Sequence, residues 1–436
     1  MSFKLIKAYI WLFVAWWVKT LGIRGADWFS EHCSRVRHLK STGFGREFDY
    51  EKYGRSMLEK NRRPDTSEFV PLDASAKQVA IDDVKVLAFY LPQYHSFPEN
   101  DEWHGRGFTE WTNVTRAVPQ FIGHIQPQLP IDVGFYDLST PKVMYRQVEL
   151  AKQYGIYGFC FHYYWFSGGK RLLERPIFNW LEHKDLDLPF MLCWANENWS
   201  KLWDGGNREV LMRQESRVED ADDFFRDILP FLQDSRYICI DGKPHLLIYR
   251  PSLFSRQDWL AFSSRLRTLA AEAGLGGLFL SMVGHENFDG TAADWGFDAM
   301  VEFPPMRLMK KREYADGVIV NPESKTLVYD MRSVVENGRL LDIPDEGVPV
   351  FRGVFPVWDN TARKAYSNAS CYLTSAETYG KWLLDMMRWE RERNPAGRRF
   401  VFVNAWNEWA EGAHLEPDAH YGYAFLDATR HAQEKQ

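Results

Sequence analysis

From Lys85 onward the chain alternates short apolar runs with longer stretches of helical periodicity, and this alternation constrains the fold more than any other feature. Eight runs stand out, at 86–91, 158–164, 190–194, 245–249, 278–283, 299–303, 350–357 and 400–403. Runs of four to eight apolar and β-branched residues read as strands buried on both faces. Helical patterning fills several of the intervals, at 142–154, 221–232, 259–273 and 377–392. Eight such strands alternating with helices predict a (β/α)8 TIM barrel. The intervals are uneven, so βα loops carry insertions, chiefly at 99–137 and 306–347. Three segments follow from this reading: an apolar Trp-rich helix over 1–30, a lead-in over 31–84 and the barrel over 85–436.

A barrel places its chemistry at the C-terminal ends of its strands. Those ends carry polar and aromatic residues in nearly every case. The first run leads to Tyr94 and His95, and the second holds His162 and Tyr164. The third ends in Trp194, Asn196, Glu197 and Asn198, and the fifth leads to His285, Glu286 and Asn287. The seventh leads to Trp358 and Asp359. The richest end follows the eighth run, with Asn404, Trp406, Asn407, Glu408, Trp409, Glu411 and Glu416. Indoles cover the apolar faces of sugar rings, amides bond hydroxyls, and a carboxyl pair moves protons. On a helical turn, Glu408 and Glu411 would lie roughly 5–6 Å apart at Cβ. Retaining glycosidases hold their two carboxyls about 5–5.5 Å apart. Alone, E-x-x-E is a common surface pattern; the neighbouring indoles and amides make the catalytic reading the stronger one.

Other positions admit two readings. Glu197 either lines a hydroxyl-binding rim with Asn196 and Asn198 or pairs with an arginine. His95 and His162 are strand-end ligand groups or hydrogen-bonded packing residues. Trp111 and Glu110 sit in the first insertion, where they fold over the site or cap a local helix.

Aromatic residues make up 16% of the chain, including 18 Trp, which suits carbohydrate contacts as well as a large core. The net charge of −6 gives no reason to expect nucleic acid as a partner. The five cysteines, Cys33, Cys160, Cys193, Cys239 and Cys371, show neither disulfide nor zinc-ligand spacing, so no metal and no other cofactor is expected. A reducing, cytoplasmic location fits them. Residues 8–18, AYIWLFVAWWV, are flanked by Lys4, Lys7, Lys19 and Arg24. They are too few to cross a bilayer, which takes about 20 apolar residues. Trp11, Trp16 and Trp17 with basic flanks suit a helix lying in the inner-membrane interface, or one packed on the protein body.

Six motifs carry a resemblance: AFYLPQYH (88–95), GFTEWTNV (107–114), GFCFHYYWFSG (158–168), CWANENWS (193–200), FPVWDNTAR (355–363) and NAWNEWAEGAHLEPD (404–418). They resemble the WbsX-like family of bacterial surface-polysaccharide loci, over roughly residues 85–425. The last motif also resembles glycoside hydrolase family 99, the endo-α-mannosidases. The resemblance implies a (β/α)8 barrel acting on O-antigen or lipopolysaccharide-type glycans, free or lipid-linked. It implies that Glu408 is the base on a sugar 2-hydroxyl, giving a 1,2-anhydro intermediate with net retention, and that Glu411 is the acid/base at the leaving oxygen. A histidine that family 99 carries between the two glutamates is Ala410 here, which puts a mannoside substrate in doubt.

Two functions follow. One is a retaining glycoside hydrolase or transglycosidase; the other is a glycosyltransferase using a nucleotide- or lipid-linked sugar. Metal-dependent transferases commonly place D-x-D just after a strand, whereas 185–187 precedes a strand and 220–222 opens a helix. No Gly-rich phosphate loop stands out. Hydrolase-type chemistry is therefore preferred, and a lectin-like binder would leave Glu408 and Glu411 idle.

Overall fold

The computed structural model describes residues 49–62, 67–75, 77–200, 210–285, 288–308, 311–364 and 367–435. The expected interfacial helix over 1–30, and Glu286 and Asn287, lie outside them. All eight predicted strands form: β1 (Lys85–Tyr90), β2 (Gly158–Phe166), β3 (Phe190–Trp194), β4 (Lys243–Ile248), β5 (Phe279–Val283), β6 (Ala299–Val301), β7 (Val350–Val354) and β8 (Phe400–Val403). Each pairs in parallel with its sequence neighbours, and β1 also pairs with β8, with Lys85 opposite Phe400 and Ala88 opposite Val403. The sheet is thus a closed eight-stranded barrel, as the alternation predicts.

Closure explains the uninterrupted apolar runs. The strands are buried on both faces, so charge is rare in them and is paired where it occurs, as in Arg352 of β7, which meets Glu302 at 2.7 Å. The interior is aromatic: Phe89 packs edge-on against Phe303 at 4.6 Å, and Phe351 against Phe400 at 5.3 Å. Neighbouring strands approach so closely that a Cβ on Gly353 would lie 2.3 Å from the Glu302 carbonyl oxygen, which requires glycine there.

Helices α1 (Lys142–Gln153), α2 (Arg175–Glu182), α3 (Ala221–Leu232), α4 (Arg256–Glu272), α5 (Met331–Glu336), α6 (Ala376–Arg393) and α7 (Ala424–Glu434) follow in order. Serine caps set two of the starts: Ser255 accepts from the Asp258 N–H, and Ser375 from that of Thr378. Between β5 and β6 a single 3-10 turn, Ala293–Trp295, connects the strands.

Both expected insertions are present. The first carries the short helices Pro98–His104 and Glu110–Thr115. The second supplies the strand Leu327–Asp330, which pairs with Ser370–Leu373, itself paired with Trp358–Asp359. This small sheet stands over the β7 end and fixes the segment that carries Arg363. Among the described residues, no helix is long and apolar enough to cross a membrane.

Candidate active site

Beyond β8 the chain forms a tight ribbon, Asn407–Glu408 paired with Ala413–His414, around the single 3-10 turn Trp409–Glu411. The turn closes at Gly412, whose φ of +63° is left-handed. A Cβ there would also lie 3.0–3.1 Å from Asp359 atoms. Only glycine suits both the angle and the space.

The turn carries both glutamates to one guanidinium. Arg363 Nη2 lies 3.0 Å from Glu408 and Nη1 lies 3.2 Å from Glu411. Its Nε lies 3.3 Å from Glu110 of the first insertion. Gln93, just past β1, donates to the second Glu408 oxygen at 2.8 Å. Burial and three carboxylates act oppositely on Arg363; the carboxylates win and hold its pKa well above the ordinary value.

Burial pushes the Glu408 carboxyl up, to about 8. Arg363 and the Gln93 hydrogen bond oppose the rise, while the charges of Glu411 and Glu110 add to it. One guanidinium cannot neutralise three carboxylates, so proton retention on one of them is favoured.

These groups face a cavity of about 100 Å³ at the C-terminal end of the barrel. Its floor is formed by His162, Tyr249, Phe303 and Asn404, and its walls by loops after β1, β3, β7 and β8. His162 is buried, its Nδ1 has no partner, and burial lowers its pKa to about 4, so the ring is neutral. Tyr164 lines the same cavity, its hydroxyl pKa raised by burial and then by Glu408.

Eight of the residues singled out from sequence line this cavity: Glu110, His162, Tyr164, Glu197, Asn198, Asn404, Glu408 and Glu411. Glu197 satisfies both of its readings, since it lines the wall and is ion-paired with Arg250. Burial raises its pKa despite that arginine. Asn198 Oδ1 accepts from the Gln214 N–H at 2.7 Å. Asn404 Nδ2 donates to the Pro304 carbonyl at 2.8 Å.

The other eleven sit behind the wall and brace it. Glu416 accepts four hydrogen bonds: from Gln147 at 2.6 Å, Tyr136 at 2.8 Å, Trp409 Nε1 at 2.8 Å and Trp406 Nε1 at 3.1 Å. Burial lifts its pKa to about 7. Trp409 stacks on His414 at 3.7 Å, and Asn407 clamps the Leu91 backbone at 2.8 and 3.0 Å. Tyr94 accepts from the Trp409 N–H at 2.9 Å, and Trp111 packs on both. His95 Nδ1 meets the Pro92 carbonyl at 2.8 Å. Asn196 joins the β3 and β4 ends through both backbone groups of Arg250. Trp194 faces outward, stacked on Phe224 of α3 at 4.2 Å, and Trp358 donates to Ser370.

Asp359 lies beneath the Gly412 turn, bonded to His124 Nε2 and Gln126, each at 2.6 Å. His124, Asp359 and Cys371 are close enough to suggest a metal cluster. His124 Nδ1, however, accepts the Gln120 N–H at 2.8 Å. Its proton is therefore on Nε2, directed at Asp359, and burial pushes the Cys371 thiol up. The trio is a hydrogen-bonded support in this protonation state, with no imidazole lone pair to offer an ion.

The strand-end reading does not include Arg363, Asn100 or Phe303, which line the cavity; Gln93, Trp199 and Tyr249, which follow or end strands, line it as well. Arg363 had a usable signal: it closes the FPVWDNTAR motif, and two buried acids need a cation nearby.

The model of the family described as Glycosyltransferase WbsX matches residues 86–429. Uncharacterized protein WxcX from Xanthomonas campestris pv. campestris strain B100 is 44% identical over 348 residues, covering 80% of this chain and 49% of that protein. WxcX from strain ATCC 33913 matches equally, so the chain spans about half the length of the curated relatives it matches. Among solved structures, a glycoside hydrolase-like protein superposes with a TM-score of 0.51 at 13% identity, covering 83% of this chain and 97% of that one. A GH99 endo-alpha-mannosidase from Bacteroides thetaiotaomicron in complex with BIS-TRIS-Propane gives 0.51 at 12%, covering 82% and 98%. At such identities the likeness is one of fold.

Proposed function

The chain belongs to the family described as Glycosyltransferase WbsX, and on that premise we propose that it is a glycan-active enzyme working through Glu408 and Glu411. The observation that carries this reading is the meeting of both carboxyls on the buried Arg363 guanidinium at the wall of a barrel-end cavity.

We propose retaining glycoside cleavage or transglycosylation. Glu408 takes the proton of the sugar 2-hydroxyl while that oxygen attacks C1. The bond from C1 to the leaving oxygen breaks, and Glu411 protonates that oxygen. Water or an acceptor hydroxyl then opens the 1,2-anhydro ring at C1, losing its proton to Glu411, and O2 recovers its proton from Glu408. Two inversions give net retention. A hydroxyl is a very weak acid, so a base raised above the usual carboxylate range suits this step better than an ordinary glutamate.

A glycosyltransferase is the second reading, favoured by the family's description. The lining argues against a diphosphate-linked donor. Glu110, Glu197, Glu408 and Glu411 face the cavity, and Arg363, the one Lys or Arg among the described lining residues, is committed to three of them. The acid pairs at 185–187 and 220–222 are engaged elsewhere, Asp187 with Lys152 and Asp222 with Arg265. The proposed substrate is a bacterial surface polysaccharide, or its lipid-linked precursor.

The decisive experiment is product analysis with the source organism's own purified polysaccharide and no nucleotide sugar. Shortened or rearranged chains from wild type, reduced about 10²–10⁴-fold in Glu411→Gln, are the expected result. Chain growth seen only when nucleotide- or lipid-linked sugar is supplied would replace this reading with the transferase.

A further inference from the structure

The lead-in ahead of the barrel carries an apolar surface that nothing so far accounts for. In helix Tyr50–Arg62, Met57 is buried, whereas Tyr50 and Leu58, two turns apart on one face, are 59% and 58% exposed. No other large apolar side chain among the described residues is as exposed. Phe69 and Leu72, further along the same lead-in, are exposed as well. Single exposed apolar residues are ordinary on a protein surface. Four within one short stretch mark a contact surface.

Charge gives a second, independent observation. Residues 1–62 hold 12 Lys and Arg against 6 Asp and Glu, while residues 63–436 hold 41 against 53. An acidic protein thus opens with a segment of net charge +6. The same segment contains the apolar run 8–18, with Trp11, Trp16 and Trp17. Positive charge alone suits any polyanion. Joined to indoles and to exposed aliphatic and aromatic side chains, it suits an anionic lipid surface. Screening confines that attraction to about 10 Å at 0.1 M salt, so the charge of the touching segment governs it rather than that of the whole barrel.

The join between lead-in and barrel decides which end of the barrel meets the lipid. The Val70 N–H donates to the Tyr421 carbonyl at 3.1 Å, and the Val70 carbonyl accepts from the Tyr423 N–H at 2.8 Å. A Cβ on Gly422, between them, would lie 2.2 Å from the Val70 carbonyl oxygen, so the join requires glycine. Glu68 meets His420 Nε2 at 3.1 Å beside it. Residues 404–423 link β8 to the start of α7, so they lie at the C-terminal end of the barrel, the end that holds the cavity. Ser67 follows Arg62 by five positions, at most about 18 Å of chain, which keeps the exposed helix near that end.

We propose that the lead-in docks on an anionic lipid bilayer, through Tyr50, Leu58, Phe69 and Leu72 and the basic residues of 1–62, and that docking turns the cavity end of the barrel toward the membrane. The apolar side chains enter the interface, and the lysines and arginines meet the headgroups. This inference is independent of the glycan reading and adds to it a partner and an orientation.

The test is sedimentation of the full chain with vesicles of phosphatidylcholine, alone or mixed with phosphatidylglycerol. Binding is expected to be about tenfold or more tighter on the mixed vesicles and to weaken as salt rises. Tyr50→Ser/Leu58→Ser should weaken it about tenfold and Lys52→Gln/Arg55→Gln several-fold, while Tyr50→Phe/Leu58→Met, which keeps the apolar face, binds as wild type. Energy transfer to dye-labelled lipid reads the orientation. One donor sits on Val118→Cys, an exposed position of the first insertion, in a Cys33→Ser/Cys239→Ser background; the other sits on exposed Cys239, shortly before β4, in a Cys33→Ser background. Transfer should be greater from the insertion. Equal or greater transfer from Cys239 overturns the orientation. Binding that is equal on both vesicle types, absent from both, or unchanged in Tyr50→Ser/Leu58→Ser overturns the docking surface. An RNA oligonucleotide bound as tightly as the mixed vesicles, and equally well by Tyr50→Ser/Leu58→Ser, would show a general polyanion surface and overturn the lipid assignment.

Discussion

At the scale of single residues, the site is a problem in charge. Motif and neighbouring residues single out Glu408 and Glu411 as the proposed pair, yet the partner that shapes their electrostatics, Arg363, is forty-five positions before Glu408 and reads in isolation as any arginine. Its role depends on a loop from β7 crossing to the β8 turn, a long-range contact that local pattern does not encode. The geometry makes opposite predictions for two neighbours. Glu110 raises the Glu408 pKa and the Gln93 hydrogen bond lowers it. If ionised Glu408 is the base, kcat/KM climbs with pH through the apparent ionisation of the pair. Glu110→Gln should then move that rise to lower pH, and Gln93→Leu should move it higher. Parallel shifts, or none, would remove Glu408 from the base role. The same residue carries a stability cost. Its folded pKa of about 8 stands above the ordinary 4.5, so stability present below 4.5 is lost as pH rises through 8. Glu408→Gln should therefore be inactive yet gain in melting temperature over wild type, with a larger gain at pH 9 than at pH 5. Equal gains at both would place the ionisation elsewhere.

At the scale of elements, the eight strands were legible because a parallel strand covered on both faces must be apolar throughout. The direction of each strand-end side chain was not. Trp194 is the last residue of its strand and points to the helix layer, stacked on Phe224, whereas Tyr164 on the neighbouring strand points into the cavity. The closing motif shows the same division: Trp406, Asn407, Trp409 and Glu416 build the turn that presents Glu408 and Glu411. A sequence rich in site-like residues thus marks a segment that reaches the cavity while mixing residues that line it with residues that hold them in place. The bracing role has a consequence. Glu416→Ala would strand four buried donors, two of them indole N–H groups, and should cost about 3 kcal/mol or more in denaturant unfolding. Gly412→Ala should be milder in stability, about 1–3 kcal/mol for a strained left-handed residue. It should be severe in kcat, because the displaced turn carries Glu411. A Gly412→Ala enzyme with unchanged kcat would show that the turn does not set the geometry of the carboxyl pair.

At the scale of the molecule, the barrel alone is silent on chemistry, since the same fold serves many reactions. What discriminates between cleavage and transfer from a diphosphate donor is the charge gathered at one end of it. The protein carries a net charge of −6, and the described cavity wall adds four glutamates against one fully committed arginine. A nucleoside diphosphate would bring further negative charge into a small, poorly hydrated space where like charges repel strongly. A neutral oligosaccharide meets no such barrier and finds rings and amides instead. Ligands that bind only the folded state stabilise it by RT ln(1 + [L]/Kd), about 2.7 kcal/mol at a hundred times Kd. Thermal melting should therefore rise with neutral fragments of the source polysaccharide and stay unchanged with millimolar UDP or GDP, in the presence of Mg²⁺ or Mn²⁺ as well as without. Adding salt should not rescue nucleotide binding, because charges enclosed in the cavity are screened far less than those on the surface. A rise with one nucleoside diphosphate that depends on the divalent ion, and none with the fragments, would mean that donor and cation together supply what the four glutamates refuse. The carboxyl pair would then belong to the acceptor side of a transferase.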